Sequence, residues 1–533
     1  MSRLHAAFVA TLIIVSTMSA QQQPFSVVEA TIADMQAAMR GGRITSRGIV
    51  QQYLDRIAKY NGRLNAIITI NPRALEEADA RDRDRAQGKV RGPLHGIPIA
   101  LKDNIHTTDM PTTGGALAFK GFVPPYEATI TKNLREAGAI VIAKTNMTEL
   151  ANFIATGMPG NYNGLIGYGM NPYDLRADPR EGTRDGRPAL SPGGSSSGAG
   201  TSANFWAANV GTETSGSILT PANQTMLAAI KPTVGRISRH GIIPITADQD
   251  TAGPMARTVA DAAIFLGALE GDAPDSNDAA TKACPRVPGG DYTRYLDARA
   301  LKGARIGVPR NYEIDAEQRK ALEEAIAVLK QQGATVIDAA DLATQPPPRC
   351  AAARRDPECS IVFKYGMKRD FNKWLASLGP SAPVKSLTEL RQWNLAHQAG
   401  GSIKYGQAQL DGSDDIDLDA DRARYLADRA RDVRLSATEG IDAVLTRERL
   451  DALMFAPAGG VLSAATAGYP TVIVPFGFLP NAPTPSFPDG FAAKPSPFGV
   501  RFTGTACSEP KLIGFAYAFE QATKRRVPPP DFP

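Results

Sequence analysis

The sequence predicts an α/β fold in a single large domain. After His95, short apolar or β-branched runs such as 97–101 and 139–143 alternate with helical stretches, a pattern typical of strands and helices built around one sheet. The composition, 43% apolar and 21% charged, is that of an ordinary globular protein. No internal repeat, low-complexity tract or clear domain boundary divides the chain.

The individual elements can be predicted in chain order. Residues 25–88 are expected to form an N-terminal helical layer, because apolar residues recur at helical spacing after Ser or Thr start signals. Strands are expected at 97–101, 139–143, 209–211 and 218–221, charged helices over most of 305–436, and buried strands at 452–455 and 471–476. The proline-rich stretches 170–192 and 480–497 are expected to be long loops that shape a site.

The N-terminus has the pattern of a secretory signal peptide over residues 1–20. Arg3 precedes an apolar run at 6–15, small residues follow, and cleavage is expected after about Ala20. The apolar run is shorter than the roughly twenty residues that a spanning helix needs. We therefore expect a secreted or periplasmic protein with no stable membrane span, and an uncleaved anchor is the alternative.

Charge and cysteine content narrow the function further. The formal net charge is +5, but basic and acidic residues are interspersed, so no nucleic-acid partner is expected. Export would permit disulfides among the four cysteines. Cys350 and Cys359 lie in a loop-like stretch and are the natural pair, with free thiols as the alternative. Cys507, in an apolar segment, is expected to be simply buried.

Three segments contain the residues that suggest catalysis: 96–104, in which Lys102 ends an apolar strand, the Gly-Ser cluster 193–198, and 211–218, which carries Ser217. Each alone has a plain structural explanation as a snorkelling lysine, a flexible loop or a turn. A serine nucleophile, however, needs a base to accept its proton. No histidine stands in the glycine-rich motifs, whereas burial of Lys102 could lower its pKa from near 10.4 by the roughly three units that a base requires.

Together these segments resemble the amidase signature family, whose pattern is a strand-end lysine in K-D-N, a G-G-S-S-G cluster and a nucleophile in G-T-x-x-G-S-I. Matching stretches at 112–115, 143–149, 231–236, 250–259, 508–510 and 519–523 extend the resemblance over residues 25–530. Ser215 and Leu219 replace the glycine and arginine of many relatives, which most resembles the peptide-amidase branch. The resemblance implies a twisted mixed β-sheet covered by helices on both faces, with the catalytic core motifs at 95–260.

The resemblance also implies the site residues. Ser217 is the nucleophile, Ser195 is a bridging serine in a cis peptide that relays the proton, and Lys102 is the base. The oxyanion hole consists of backbone N–H groups of Thr214, Ser215 and Gly216, together with that of Ser217. The implied reaction is hydrolysis of a carboxylic amide to an acid and an amine or ammonia through an acyl-enzyme, with no cofactor and no metal.

Three alternatives remain open at this stage. The bridge could be Ser196, because the 22-residue spacing from Ser195 to Ser217 is slightly shorter than in relatives. Gly194–Gly198 also fits the nucleophile elbow of an α/β-hydrolase esterase, with Ser196 as nucleophile and His240 or His397 in the triad, although the polar stretch 183–192 does not read as the required strand. A secreted binding protein of the same fold is the third.

The expected partner is a small-molecule or peptide amide. The loops 156–192 and 480–498 are expected to select it, and the sequence alone does not identify which amide it is.

Overall fold

The computed structural model describes residues 24–194, 198–351, 356–456 and 459–533. The expected signal peptide at 1–20 and the serines Ser195, Ser196 and Ser197 lie outside the described residues.

Within the described residues, eleven strands form one mixed sheet and two more form a separate hairpin. The strands are β1 (Ile67–Ile70), β2 (Pro98–Lys102), β3 (Ile140–Thr145), β4 (Tyr162–Asn163), β5 (Gly167–Tyr168), β6 (Ala208–Glu213), β7 (Ala228–Lys231), β8 (Thr251–Ala256), β9 (Arg305–Val308), β10 (Thr335–Asp338), β11 (Ala452–Phe455), β12 (Thr471–Leu479) and β13 (Ser496–Thr503). The large sheet has the order β1-β3-β2-β6-β8-β7-β12-β13-β11-β9-β10, and β4 pairs with β5.

The helices cover this sheet and build a separate layer beside it. They are α1 (Ile32–Arg40), α2 (Ser46–Leu64), α3 (Ala74–Ala86), α4 (Thr129–Glu136), α5 (Ala199–Ser202), α6 (Leu219–Gln224), α7 (Val259–Glu270), α8 (Ala316–Gln331), α9 (Val362–Ser377), α10 (Leu387–Ala396), α11 (Ala408–Asp414), α12 (Arg422–Val433), α13 (Asp442–Arg447), α14 (Val461–Ala467) and α15 (Glu509–Thr523). A π-helical stretch, Arg434–Ile441, joins α12 to α13.

Helices lie on both faces of the sheet, as the alternation along its central strands shows. On β12, Val472 and Val474 face the main hydrophobic core, in which α7 and α15 also lie, whereas Ile473 points to the opposite side and packs with Leu219 of α6. Successive side chains of a strand point to opposite faces, so a strand that is apolar on both faces must be covered on both. The expected mixed α/β sheet with helices on both faces is confirmed.

The arrangement of β2 and β6 positions the site. These two strands are parallel neighbours, with Ala100 opposite Asn209 and Leu101 opposite Val210. Because parallel strands end at the same edge of a sheet, Lys102 at the end of β2 and the turn that follows β6 come together there.

Several strand and helix predictions are confirmed, and others are wrong. The strands expected at 97–101, 139–143, 209–211, 452–455 and 471–476 are present. Residues 218–221 are not a strand, since they lead into α6, and Pro221 is tolerated there because it lies in the first helical turn. The region 305–436 contains the helices α8 to α12, as expected, but the runs 305–308 and 335–338 within it form β9 and β10 as a parallel pair, which the sequence did not predict. The N-terminal layer, residues 25–88, contains α1, α2 and α3 but also β1, which pairs with β3.

Two disulfides join the four cysteines. Cys350 pairs with Cys359, the pair that the sequence suggested, with their Cα atoms 4.8 Å apart. The expectation that Cys507 is simply buried is wrong: it is partly exposed and bonded to Cys284, 223 residues away. The Thr233 hydroxyl accepts a hydrogen bond from the Cys507 N–H at 2.8 Å, which joins the turn after β13 to the segment that follows β7. None of the helices in the described ranges is both long enough and apolar enough to cross a bilayer.

Candidate active site

Lys102 is fully buried at the end of β2. Its Nζ donates to the hydroxyl of Thr212 at 2.8 Å and to the carbonyl oxygen of the same residue at 3.2 Å. The Asn104 amide donates to the same hydroxyl at 3.1 Å. Lys102 therefore contacts the neighbouring strand β6 at Thr212, which stands five residues before Ser217 in the chain.

Burial lowers the pKa of Lys102 to about 7, because the ammonium form loses its hydration inside the protein. The negative charges of Asp250 and Glu213 oppose this shift, but burial has the larger effect. Lys102 can therefore exchange a proton near neutral pH, which an ordinary lysine cannot do.

Ser217 lies in a tight turn between β6 and α6 and is partly exposed. The turn requires glycine at position 216, which has a φ of +90°. Glu213 ends β6, and its carboxylate accepts hydrogen bonds from the backbone N–H groups of Ile218 at 2.7 Å and Leu219 at 3.0 Å. This carboxylate satisfies N–H groups at the start of α6, which explains why the chain turns into a helix directly after Ser217.

Gly194, the last described residue before the serine cluster, lies beside Ser217. A Cβ atom built on Gly194 would be 4.0 Å from the Ser217 Oγ. The structure thus brings the second and third motifs together, although Ser195 itself lies outside the described residues.

Thr214 is held on both sides by the segment before β8. Its hydroxyl donates to the Asp250 carboxylate at 2.5 Å, and the Gln249 side chain donates to its carbonyl oxygen at 3.2 Å. Ser215 is partly buried and Gly216 buried, so the three residues predicted as oxyanion donors form the turn next to Ser217.

A cavity of about 210 Å³ adjoins this turn. Its lining includes the polar residues Asn104, Thr212, Thr214 and Asp250 and apolar side chains such as Ile243 and Trp374. The cavity therefore provides room for part of a bound molecule next to the end of β6.

The histidines that could have completed a catalytic triad have other surroundings. His106 accepts a hydrogen bond from the Trp374 indole at 2.9 Å, and burial lowers its pKa to about 3. His240 stacks on Tyr126 with ring centroids 4.9 Å apart, and His397 stacks on Trp393. Within the described ranges, no cluster of three or more His, Cys, Asp or Glu side chains is suited to hold a metal ion.

Comparison with known proteins shows the family to which the chain belongs. The Amidase family profile matches residues 48–513. The chain belongs to the amidase signature family. It is 35% identical over 518 residues to a protein of Arabidopsis thaliana named as a probable amidase, covering 95% of this chain and 92% of the plant protein.

Solved structures of amidases resemble this amidase along nearly its whole length. The native peptide amidase of Stenotrophomonas maltophilia superposes with a TM-score of 0.82 at 39% identity, covering 95% of this chain and 99% of that one. An amidase family protein of Bacillus anthracis gives a TM-score of 0.79 at 32% identity, covering 94% and 92%. The protein is a hydrolase that acts on C–N bonds of amides.

Sequence reasoning missed three residues of this site: Thr212 as the partner of Lys102, Glu213 as the cap of α6, and Asp250 as the partner of Thr214. Thr212 and Glu213 stand inside the motif that carries Ser217, where a polar pair at the end of a buried strand was an available signal. Asp250 begins the matching stretch 250–259, but its contact with Thr214 could not be predicted, because it depends on the pairing of β6 with β8.

Proposed function

We propose that this amidase cleaves its substrate through a covalent acyl-enzyme on Ser217. The Ser217 Oγ attacks the amide carbonyl carbon while its proton passes through Ser195 to Lys102. The C–N bond then breaks, the proton returns to the leaving nitrogen, and ammonia or an amine departs. Water hydrolyses the ester on Ser217 by the same relay, so the net reaction converts amide and water into acid and amine.

The environment of Lys102 supports its role as the base. Its Nζ bonds the hydroxyl of Thr212 at 2.8 Å and the carbonyl oxygen of the same residue at 3.2 Å, which holds the amine at the end of β6 beside the turn that carries Ser217. In its neutral form a lysine amine has a lone pair that can accept a proton. With a pKa of about 7, a large fraction of Lys102 is neutral at physiological pH.

The turn around Ser217 supports the assignment of the oxyanion hole. A tetrahedral intermediate places a negative charge on the former carbonyl oxygen, and successive N–H groups of a tight turn can converge on such an oxygen. Thr214, Ser215 and Gly216 supply such N–H groups directly before Ser217. Removal of one donor of this kind typically costs about 3–4 kcal/mol of barrier.

The esterase alternative has less support. A nucleophile elbow follows directly from a buried strand. Residues 183–192 include no strand of the large sheet, and the segment makes only an isolated bridge between Ala177 and Pro188. The binding-protein alternative has less support, because Lys102 combines complete burial with a position at the end of β2 beside the turn that carries Ser217, as a catalytic base requires.

For the substrate, we propose a C-terminal peptide amide or a small carboxamide. The peptide amidase of Stenotrophomonas maltophilia matches this chain over nearly its full length, which supports peptide amides as the first class to test. We also propose that the loops 156–192 and 480–498 select the substrate. They contact each other, because the Arg176 guanidinium lies over the Phe491 ring and the Arg180 guanidinium over the Phe487 ring.

We also propose that the protein is exported. Two disulfides support this, because disulfides persist in oxidising compartments and are rare in the cytosol. The mass of the protein recovered outside the cytoplasm tests this proposal. A mature N-terminus near Gln21 would agree with it, and an intact Met1 on protein retained in the cytoplasm would contradict it.

The test of the proposed mechanism is a panel of a peptide amide, an anilide, a long-chain acyl amide and the corresponding esters. We expect hydrolysis of at least one amide by the wild type, loss in Ser217→Ala and Lys102→Met, and a fall in kcat/KM as the pH drops below about 7, because Lys102 then gains its proton. Retention of activity by Ser217→Ala, with loss in Ser196→Ala, would replace this mechanism by the esterase alternative.

A further inference from the structure

Asp250 begins the stretch 250–259 that matches the family pattern, but the sequence does not indicate that it contacts the turn that carries Ser217. Strand β8 pairs antiparallel with β6, and Thr251 is opposite Glu213 in the last pair of the register. One residue beyond that pair, Asp250 faces Thr214 across the end of the sheet. The pairing therefore places a carboxylate from β8 next to the turn that carries Ser217.

The Asp250 carboxylate holds two parts of the chain in place. One carboxylate oxygen accepts from the Thr214 hydroxyl at 2.5 Å, and the other accepts from the backbone N–H groups of Ile245 at 2.9 Å and Thr246 at 3.0 Å. Together with the bond from Gln249 to the Thr214 carbonyl oxygen at 3.2 Å, these bonds fix Thr214 at both its side chain and its backbone. The orientation of the peptide between Thr214 and Ser215, which carries the Ser215 N–H, thus depends on the 245–250 segment.

The 245–250 segment is itself anchored to two helices. Asp248 accepts from Arg369 of α9 at 3.1 Å and from the Tyr425 hydroxyl of α12 at 3.0 Å. The Ala247 N–H donates to Asp370 of α9 at 2.7 Å. The helical layer therefore anchors the 245–250 segment, and this segment in turn fixes Thr214 through Asp250 and Gln249.

Asp250 also acts on Lys102 through its charge. Its negative charge favours the ammonium form of Lys102, and burial raises the pKa of Asp250 to about 7, so both groups titrate over the same pH range. The charged and titratable groups around this pair come from several elements: Glu213 of β6, Asp370 of α9 beside Arg369, Arg239 ion-paired with Asp278, and the cavity residues His240 and Lys373.

We propose that Asp250 is a positioning residue for amide hydrolysis: by holding the Thr214 hydroxyl it orients the turn at Thr214 for the oxyanion hole. This inference rests on the proposed roles of Ser217, Lys102 and Thr214. It adds a residue that stands 33 positions after Ser217 in the sequence and does not contact the reacting atoms.

The two effects of Asp250 can be separated by substitution. Thr214→Val removes the hydroxyl and keeps the Asp250 charge, so kcat should fall about 10- to 100-fold with KM changed less than about threefold and the acidic limb of the pH profile unmoved. Thr214→Ser retains the hydroxyl and should restore most of the activity. Asp250→Asn keeps hydrogen-bonding atoms and removes the charge, so the acidic limb should move to lower pH by about 0.5–1 unit. Asp250→Ala should combine both effects.

Asp248→Asn is the matched control. Asp248 lies on the same segment as Asp250 and bonds α9 and α12, but no described bond joins it to Thr214. The variant should lower thermal stability, lower kcat by much less than Thr214→Val does, because Asp250 and Gln249 still bond Thr214, and leave the acidic limb unmoved.

The inference is overturned if Thr214→Val and Asp250→Asn both keep the wild-type kcat and pH profile, or if Asp248→Asn reproduces their effects. Should Asp250→Ala fail to fold, Thr214→Val and Asp250→Asn decide alone. Ser217→Ala, measured in parallel, separates the two proposals: if it is inactive while the Asp250 variants are normal, only this inference fails, and if it is active, the proposed mechanism fails first.

Discussion

Replacing Lys102 with methionine should stabilise the folded amidase at acid and neutral pH while it abolishes hydrolysis. Methionine has nearly the volume of the lysine side chain and no charge to bury. Lys102 is fully buried, and its pKa falls from the ordinary 10.5 to about 7. At about 1.4 kcal/mol for each pH unit, that difference costs the folded wild type about 5 kcal/mol.

The sign of this effect depends on pH. The folded-state pKa of Lys102 lies below that of the unfolded chain, so the unfolded chain binds the proton more tightly. The cost is therefore full below pH 7 and disappears as the pH rises toward 10.5. The variant also loses the two hydrogen bonds to Thr212, about 1–2 kcal/mol, although Asn104 still donates to that hydroxyl. The net gain should be about 3 kcal/mol at pH 6 and close to zero at pH 9.

Thermal unfolding at pH 6 and pH 9 measures this prediction. An unfolding entropy of about 2 cal/mol/K per residue makes 3 kcal/mol correspond to a rise of about 3 °C in Tm for a chain of this size. Lys320→Met is the control, because Lys320 is exposed on α8 and its replacement should shift Tm equally at both pH values. A Lys102→Met variant that is less stable than wild type at pH 6, or whose difference from wild type does not change with pH, would refute the reasoning.

Two further predictions concern stability alone. Gly193→Ala should destabilise the protein by about 3 kcal/mol, because Gly193 has a φ of +80° and an added Cβ would lie 2.5 Å from the Pro221 Cα. Gly194→Ala is the control and should change Tm little, because its Cβ would meet no atom closer than 3.9 Å. Equal Tm shifts for the two variants would contradict this packing. Cys507→Ala removes the disulfide that spans 223 residues and should lower the free energy of unfolding by about 5 kcal/mol. Cys359→Ala removes the disulfide that spans 9 residues and should lower it by about 3 kcal/mol. If Tm, measured without reductant, falls more for Cys359→Ala, loop entropy does not govern the stability that these disulfides provide.

The sequence predicted the site wherever the relevant residues stand close together in the chain. The apolar run that ends in Lys102 and the run that leads to Ser217 both form the expected strands, because a buried parallel strand has few residue types to choose from. Residues 218–221 were misjudged because Ile218 and Leu219 suit a strand by composition. The Glu213 carboxylate binds their N–H groups and starts a helix instead.

Features that depend on distant pairing could not be predicted. The order of the eleven strands places β8 beside β6, and only this pairing brings Asp250 to Thr214. In the same way, the bond between Cys284 and Cys507 joins segments 223 residues apart, and no local pattern indicates it. The strands β9 and β10 were not predicted, because each is a run of only four residues in a region where charged helical patterns predominate.

The most direct test of the central claim is covalent labelling with a fluorophosphonate, followed by mass mapping of the modified peptide. We predict a single adduct on Ser217 that is absent from Ser217→Ala. It should form far more slowly in Lys102→Met. In the wild type it should form more slowly below about pH 7, where Lys102 becomes protonated. An adduct on Ser196, or labelling of Lys102→Met at the wild-type rate, would contradict it.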